Sequence, residues 1–156
     1  MNMLHAEYAA EIDAPPDVIY GIFADYRNSH PAILPKPYFG DLTVEQGGVG
    51  AGTVVSGAVR VYGMSYPFHL VVSEPEPGHV LVETDSETQQ VTKFILEPLS
   101  SGRTRVTIAS DFPASAGFAG FMERLVKPGV TRRIYKAELE QLTRYVAAMP
   151  TTAPAC

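Results

Sequence analysis

The side chains of this sequence best suited to proton transfer are its four histidines, because an imidazole titrates near neutral pH. They are scattered along the chain as His5, His30, His69 and His79, and no two stand at the spacing of metal ligands. The one cysteine, Cys156, offers no partner for a thiolate site. A metal centre would have to be assembled wholly by the fold, so the sequence predicts neither a metal nor any other cofactor.

His30 is the histidine placed best for general base catalysis. It lies in a connection rich in proline and is flanked by Tyr26 and Tyr38. A catalytic base needs a group that orients it, and the neighbouring sequence shows no carboxylate in such a position. A histidine on a surface loop therefore stays open as the alternative.

Arg60 and Tyr62 are a second polar pair that could meet a ligand. They alternate with Val59 and Val61 along one predicted strand. If the valines face the interior, which the pattern favours, the arginine and the tyrosine point to water. If the strand is inverted, the pair would bind an acidic or carbonyl group, and a buried Arg60 would need a partner such as Glu83.

The segment 47–53, with the sequence Gly-Gly-Val-Gly-Ala-Gly-Thr, invites a nucleotide-binding interpretation. However, Thr53 stands where a dinucleotide-binding motif needs glycine and where a phosphate-binding loop needs lysine. The loop also precedes a predicted strand, so it lacks the helix N-terminus that binds phosphate. We interpret it as a structural turn.

The elements that must position these residues follow a simple order. An alternating strand over 4–12 comes first, and a short amphipathic helix over 16–25 begins at a proline. A helical turn over 29–34 lies in the proline-rich connection. Further strands follow with short connections, which makes neighbours antiparallel and the fold α+β. Their predicted ranges are 40–45, 52–62, 65–73, 80–85, 90–97 and 104–110.

The longest element is a helix predicted over residues 115–148, where apolar residues recur at helical spacing. Its stripe consists of Phe118, Phe121, Met122 and Leu125, then Tyr135, Leu139, Leu142 and Val146. The two halves of the stripe are out of phase, and Pro128 and Gly129 lie between them. The sequence therefore predicts a kinked or interrupted helix.

The predicted strands offer this helix an apolar surface. Alternation places Thr92, Phe94 and Leu96 on one side of a strand, and Val106 and Ile108 on the matching side of the next. Facing the helix, these residues would line either a ligand cavity or a close-packed core. Periodicity alone leaves both open.

The length of 156 residues indicates a single domain, over residues 1–148, with a flexible tail over 149–156. Hydrophobic residues make up 46% of the chain and charged residues 19%, as in ordinary globular proteins. The net charge is -5 and basic residues are spread along the chain, which argues against a nucleic-acid partner. No long apolar run predicts stable membrane insertion, and residues 1–11 lack the pattern of a secretion signal, so we expect a cytoplasmic protein.

Three local motifs, together with the order of elements, resemble a known family. The motifs are His-Pro-Ala-Ile-Leu-Pro over 30–35, the glycine-rich segment over 47–53, and Glu-Pro-Glu-Pro-Gly-His-Val-Leu over 74–81. They resemble the START-like, helix-grip (SRPBCC) superfamily, and within it proteins labelled polyketide cyclase/dehydrase-like, over residues 3–147. The resemblance implies a curved antiparallel sheet of six to seven strands gripping the long C-terminal helix, with a cavity for hydrophobic ligands between them.

Members of this superfamily serve as carriers, receptors and cyclases, so the fold does not fix the function. The first hypothesis is binding or transport of a small hydrophobic ligand, such as a lipid, a polyketide or an aromatic compound, in the implied cavity. We expect its lining to include Tyr26, His30, Tyr38, Tyr66, Phe94, Leu96, Phe118, Met122 and Leu125.

Two other hypotheses stay open. The second is a polyketide cyclase or dehydratase that uses acid–base residues drawn from His30, Tyr38, Arg60, Tyr66 and His69. The third is an interaction module with a filled core, which would bind another protein or form a homodimer. The sequence leaves the ligand, the occurrence of turnover and the oligomeric state undecided.

Overall fold

The computed structural model describes residues 3–114 and 117–150, apart from the side chains of residues 117–125. The strands are β1 (Met3–Ile12), β2 (Thr43–Gln46), β3 (Val54–Val61), β4 (Met64–Glu76), β5 (Val80–Asp85), β6 (Val91–Pro98) and β7 (Thr104–Pro113). The helices are α1 (Pro16–Ala24), α2 (Ser29–Ile33) and α3 (Gly117–Ala148), and a short 3₁₀ turn covers Ser100–Gly102.

The seven strands form one antiparallel sheet in the order β1-β7-β6-β5-β4-β3-β2. Every neighbouring pair except β1 and β7 is consecutive in the chain, as the short predicted connections require. The predicted α+β architecture is confirmed. The boundaries shift: β2 begins at Thr43 rather than at residue 40, and β4 continues past residue 73 to Glu76.

One face of the sheet is buried against the helices, and we call it the inner face. It carries Val55, Leu81, Phe94, Val106 and Ile108, each at most 2% exposed. The predicted inward orientation of Phe94 with Thr92 and Leu96, and of Val106 with Ile108, agrees with this burial. Alternate residues on each strand point to the opposite, outer face.

Helix α3 packs on the inner face through the second half of its predicted stripe. Tyr135, Leu139 and Leu142 are buried together with Ile134, while Val146 is partly buried at the end of the helix. The side chains of Phe118, Phe121, Met122 and Leu125, which form the first half of the stripe, lie outside the described residues. The helix is thus held on the sheet by an apolar stripe at helical spacing.

The predicted interruption of this helix is wrong, because α3 runs unbroken through Pro128. A proline removes one backbone hydrogen bond, but a long helix packed on a sheet keeps the rest of its turns. One turn later, Thr131 Oγ1 donates a hydrogen bond to the carbonyl of Lys127 at 2.8 Å. A kink at the proline stays a prediction.

The turn between β3 and β4 consists of Tyr62 and Gly63. Both have positive φ, 52° and 75°, as the two central residues of a type I′ hairpin turn require. Tyr62 is therefore a non-glycine residue in the left-handed region, and its side chain is 75% exposed. The turn presents an aromatic ring to solvent at the end of the sheet.

The glycine-rich loop clamps the junction between α1 and α2. The carbonyl of Gly48 accepts a hydrogen bond from Tyr26 N at 2.8 Å, and Gly50 N donates to the carbonyl of Ala24 at 2.9 Å. These bonds resemble the pairing of a strand, and they agree with the interpretation of this loop as a structural turn. These hydrogen bonds hold the backbone of the segment that carries Tyr26 and His30.

Glu74 of β4 also binds the glycine-rich loop through its carboxylate. Its carboxylate accepts hydrogen bonds from Ala51 N at 2.8 Å and from the Tyr20 hydroxyl at 2.7 Å. Gly50 has a φ of +68°, and a Cβ added there would come within 2.6 Å of Glu74 Oε2. Glycine is therefore favoured at this position by the backbone conformation, and a larger residue would also displace the Glu74 carboxylate.

Among the described residues, no helix is long and apolar enough to cross a membrane. Residues 151–156 of the predicted tail lie outside the described part of the chain.

Leu139→Ala tests the contribution of the α3 stripe. Leu139 is 1% exposed, so we expect its truncation to lower the free energy of unfolding by about 2–5 kcal/mol, measured by urea denaturation followed by circular dichroism. The matched control is Arg144→Ala on the exposed side of α3, which should change stability by less than about 0.5 kcal/mol. Equal losses in the two variants would contradict this account of the packing.

Candidate functional site

A pocket opens between the end of the sheet and α3. Its volume is about 350 Å³, within the range of small-molecule sites. The lining residues come from the segment before β2, from the β3–β4 turn and from α3: Pro37, Tyr38, Arg60, Val61, Tyr62, Gly63, Val130 and Arg133. A second depression of about 610 Å³ beside α2 has no α3 residue among those that line it. Of these two, the first pocket combines residues of α3 with residues of the sheet, and neither pocket is lined by His30, Glu83 or Glu138.

Four aromatic rings pack together in the interior between α1, α2 and the sheet. The His30 ring lies 4.6 Å from Tyr26, 5.6 Å from Phe94 and 5.7 Å from Phe23, measured between ring centroids. Phe23 and Phe94 are 4.7 Å apart. His30 is thus a buried core residue, 2% exposed, and not a residue on the surface of a loop.

His30 and Glu138 of α3 are a buried pair, and burial favours the uncharged form of each side chain. His30 Nδ1 lies 2.7 Å from the carbonyl oxygen of Phe23, which can only accept, so Nδ1 carries the proton and Nε2 is an acceptor. Nε2 lies 3.7 Å from Glu138 Oε2. Burial lowers the pKa of His30 to about 4.

Burial also raises the pKa of Glu138 well above its ordinary value, and the nearby Glu83 carboxyl raises it further. Both causes favour the protonated form of this carboxyl, which lies opposite an imidazole nitrogen that can accept a hydrogen bond. Glu138 Oε2 is buried and has no hydrogen-bond partner among the described residues. Such an atom in a folded interior is expected to meet water or a ligand group.

Glu83 is the second buried carboxyl of the site. It follows Leu81 on the inner face of β5, and its Oε1 accepts a hydrogen bond from the Tyr26 hydroxyl at 2.7 Å. Burial raises the pKa of Glu83 from 4.5 to about 7, against the effect of the hydrogen bond from Tyr26, which lowers it. The carboxylate also raises the pKa of Tyr26, after burial itself. Burial therefore disfavours the charged form of Glu83 at pH values where an exposed glutamate is ionised.

A chain of hydroxyl groups joins α3 to the sheet beside these acids. Tyr135 on α3 is hydrogen-bonded to Ser110 on β7, and Ser110 Oγ lies 2.6 Å from Thr92 Oγ1 on β6. Burial raises the pKa of Tyr135 to about 12. All three groups are neutral and satisfied, so the chain fixes the rotation of α3 that turns Glu138 inward.

The structure gathers some of the expected lining residues and separates others. Tyr26, His30, Phe94 and Leu96 are buried in the core, and Tyr38 lines the pocket. Tyr66 of β4 pairs with Val59 of β3 but is 50% exposed. The remaining three, Phe118, Met122 and Leu125, have side chains outside the described residues.

The proposed set of acid–base residues is not brought together as a whole. Arg60 is exposed, and Val59 and Val61 beside it pack on the core, as the alternation along the strand favoured. His69 lies opposite Ser56, away from the inner face that Val55 marks, and contacts Glu45 Oε2 at 3.0 Å. Of the set, only His30 is buried with other titratable groups.

Sequence reasoning missed the partner of His30. Glu138 lies four residues after Ile134 and four before Leu142, so it occupies the buried stripe of α3. A glutamate at that spacing is the signal that could have found it, because buried carboxyls are rare without a function or a partner. Glu83 is likewise a glutamate at a position predicted to be buried, because it follows Leu81 by two residues on a strand.

No group of three or more histidine, cysteine, aspartate or glutamate side chains is arranged to hold a metal ion in the described part of the chain.

A family model described as polyketide cyclase/dehydrase and lipid transport matches residues 3–147. No curated protein sequence matches the chain. The START-like, helix-grip and polyketide cyclase/dehydrase-like assignments made from the sequence are confirmed.

Solved structures share the fold along nearly the whole chain. The KanY protein is 25% identical, with a TM-score of 0.82 over 95% of this chain and 100% of its own. The ZhuI aromatase/cyclase of a Streptomyces species is 20% identical, with a TM-score of 0.80 over 99% and 100%. A START superfamily protein of Mycobacterium smegmatis is 18% identical, with a TM-score of 0.71 over 91% and 98%.

Glu83→Gln tests the desolvation of this carboxyl. A carboxyl whose pKa rises from 4.5 to about 7 on folding destabilises the protein increasingly as pH rises through that window. Glutamine keeps an acceptor for Tyr26 without the charge. We expect the variant to match the parent near pH 4.5 and to be more stable by up to about 3 kcal/mol at pH 8, measured by urea denaturation.

The matched control is Glu97→Gln, at an exposed position of β6, which should give the same small difference at both pH values. The lowered pKa of His30 acts in the opposite direction between about pH 4 and 6.5, but it is present in all three proteins and cancels in the comparison. A variant less stable than its parent at pH 8 would show that the carboxylate is stabilised in the fold.

Proposed function

We propose that this chain, which belongs to the polyketide cyclase/dehydrase and lipid transport family, binds a small hydrophobic ligand between its sheet and its C-terminal helix. The observation that carries the proposal is the pocket of about 350 Å³ between the β3–β4 turn and α3. Apolar burial would supply most of the affinity, and the buried polar groups would orient the ligand.

The proposal extends the ligand from this pocket to the buried polar groups around Glu138, which do not themselves line it. A close-packed core that served stability alone would gain by replacing two buried carboxyls with apolar side chains. Glu83 and Glu138 are instead held among Tyr26, His30 and Tyr135, with one carboxyl oxygen unpartnered in the described structure. This arrangement supports a site that completes its hydrogen bonds with a ligand.

The ligand lining remains part of the proposal. It comprises the pocket residues on α3 and the β3–β4 turn, Tyr38, the buried Tyr26, His30, Phe94 and Leu96, the half-exposed Tyr66, and the α3 residues Phe118, Met122 and Leu125. We expect native mass spectrometry of the freshly purified protein to show a bound small molecule at one per chain. The organic extract of the same sample would identify its class.

Val130→Trp tests the location of the site. Val130 lines the pocket from α3, so an indole there should fill the space and weaken binding of a neutral apolar probe, N-phenyl-1-naphthylamine, by at least about tenfold in a fluorescence titration. Val126→Trp is the matched control, because Val126 lies on the same helix and is 44% exposed. Equal probe affinity in the two variants would place the ligand elsewhere.

A second candidate function, a cyclase or dehydratase acting on a polyketide-like substrate, is favoured by the pairing of His30 with Glu138. An acid and a base that face each other in a dry interior can remove a proton beside a carbonyl and return one to a departing hydroxyl group. The family description and the fold shared with an aromatase/cyclase support this reading.

His30→Asn tests this candidate against a panel of aromatic β-hydroxy ketones, with loss of water followed by absorbance. If the chain is such an enzyme, the variant should slow turnover by at least about 100-fold because it lacks the base. His69→Asn, which alters a histidine away from the inner face, should leave the rate unchanged. Absence of turnover across the panel, or equal slowing in both variants, would reject the enzyme and leave the binding protein.

A further inference from the structure

Three side chains on the outer face of the sheet form a row of serine, histidine and glutamate. Ser86 Oγ lies 2.7 Å from His69 Nδ1, and His69 Nε2 lies 3.0 Å from Glu45 Oε2. The His69 and Glu45 side chains are 37% and 43% exposed, and Ser86 is exposed as well. We call these three residues the outer-face triad. It is open to solvent and separate from the residues that line the pocket.

The partners of His69 determine which of its ring nitrogens carries the proton. A carboxylate only accepts hydrogen bonds, so Nε2 donates its proton to Glu45, and Nδ1 of the neutral ring is an acceptor. The Ser86 hydroxyl can therefore donate to Nδ1. A nucleophile, a general base and a carboxylate that orients the base are the three parts that activate serine in unrelated hydrolases.

The backbone of three elements holds the outer-face triad in place. The carbonyl of His69 on β4 accepts a hydrogen bond from Ser86 N at 2.9 Å, which ties the turn after β5 to β4. Glu45 lies on β2 where the register against β3 shifts between Val44 and Gln46, so it is the extra residue of a β-bulge. Bulges redirect side chains and are frequent beside active sites. The bulge therefore accounts for a glutamate aimed at His69 from an edge strand.

We infer that the outer-face triad is a second reactive site, at which small activated esters acylate Ser86. His69 Nδ1 takes the proton of Ser86 Oγ as the oxygen forms a bond to the ester carbonyl carbon. The bond from that carbon to the alcohol or phenol oxygen breaks, and His69 returns the proton to the departing oxygen. Water then attacks the acyl-serine with His69 again as the base, which releases a carboxylic acid and restores the hydroxyl. The net reaction is hydrolysis of an ester.

The backbone around Ser86 limits the substrate to esters with a good leaving group. Ser86 N donates to the His69 carbonyl, and Glu87 N and Thr88 N donate to Asp85 Oδ1 at 2.9 and 3.2 Å. These three N–H groups are thus engaged and do not stabilise an oxyanion, a contribution worth about 10²–10³ in rate. Aryl esters depend least on it because a phenolate leaves readily, so we expect them to react and amides not to react.

An exposed apolar side chain lies beside the outer-face triad. Val71 follows His69 by two residues on β4, so both side chains belong to the outer face, and Val71 is 40% exposed. Contact with this valine would favour a small apolar acyl or aryl group over a charged one. The substrate class is therefore a small, uncharged aryl ester that reaches the sheet from solvent.

The test uses p-nitrophenyl acetate at pH 8, where imidazole is ordinarily the neutral base. We expect early release of p-nitrophenol and one acetyl group per chain, located on Ser86 by mass spectrometry of acid-quenched, digested protein. Ser86→Ala should lose this acetyl group, whereas Ser86→Cys keeps a nucleophile at the same position and should be acetylated there. His69→Asn should slow acetylation by at least about 100-fold because it lacks the base.

Glu45 is a positioning residue, because it acts through His69. Glu45→Gln should slow acetylation by about tenfold, and Glu45→Asp, which keeps the charge, should retain more of the rate. Two variants are matched controls and should keep the parental rate. Ser65→Ala removes another exposed serine of β4. His5→Asn removes an exposed histidine that lies between the carboxylates of Glu7 and Asp111 and has no serine beside it.

Three results would overturn the inference. They are acetyl groups on other residues with none on Ser86, early release of p-nitrophenol that persists unchanged in Ser86→Ala, and equal slowing in His69→Asn and His5→Asn. Each would show general surface reactivity in place of an activated serine. None of them bears on the proposed ligand pocket, which shares no residue with the outer-face triad. Dehydration of a β-hydroxy ketone needs no acyl-serine, so His69→Asn should still leave that reaction unchanged.

Discussion

The burial of one stripe of α3 on the inner face of the sheet is the interaction on which the rest of this structure depends. Leu139 and Leu142 are completely buried, and the register that buries them also buries Glu138, because residues three or four apart share a helix face. The apolar packing that stabilises the fold therefore desolvates a carboxyl. The pKa of Glu138 is raised because of where the helix must lie, first through burial and then through the nearby Glu83.

The placement of His30 follows from a different constraint, the glycine-rich loop. That loop pairs with the backbone on both sides of Asp25, and the Asp25 carbonyl accepts a hydrogen bond from His30 N at 2.9 Å. Ser29 Oγ donates to the carbonyl of Ile22 at 2.9 Å, so the start of α2 is tied back to α1. Helix α2 thus places His30, and helix α3 places Glu138, beside each other in the interior.

The sequence predicted the fold more completely than the site, for physical reasons. Strand order followed from short connections, and the helix from apolar spacing, because both signals are local. Pro128 led to the expectation of a break in α3. The helix continues because one lost hydrogen bond is a small part of a long, packed helix. The acids were missed because His30, Glu83 and Glu138 are far apart in sequence, and only the sheet and helix bring them together. The local clues were a glutamate at a position of the apolar stripe, Glu138 between Ile134 and Leu142, and Glu83 two residues after Leu81 on a strand.

Charged groups at the pocket and in the interior differ in how strongly solvent screens their electrostatic interactions. Arg133 at the pocket is exposed, and its field is screened within a Debye length of about 8 Å at physiological salt. Glu83 is buried beside Tyr26 in an environment of low dielectric, where a charge acts with little screening. The stability of the fold should therefore respond more strongly to a change of charge at Glu83 than to one at Arg133.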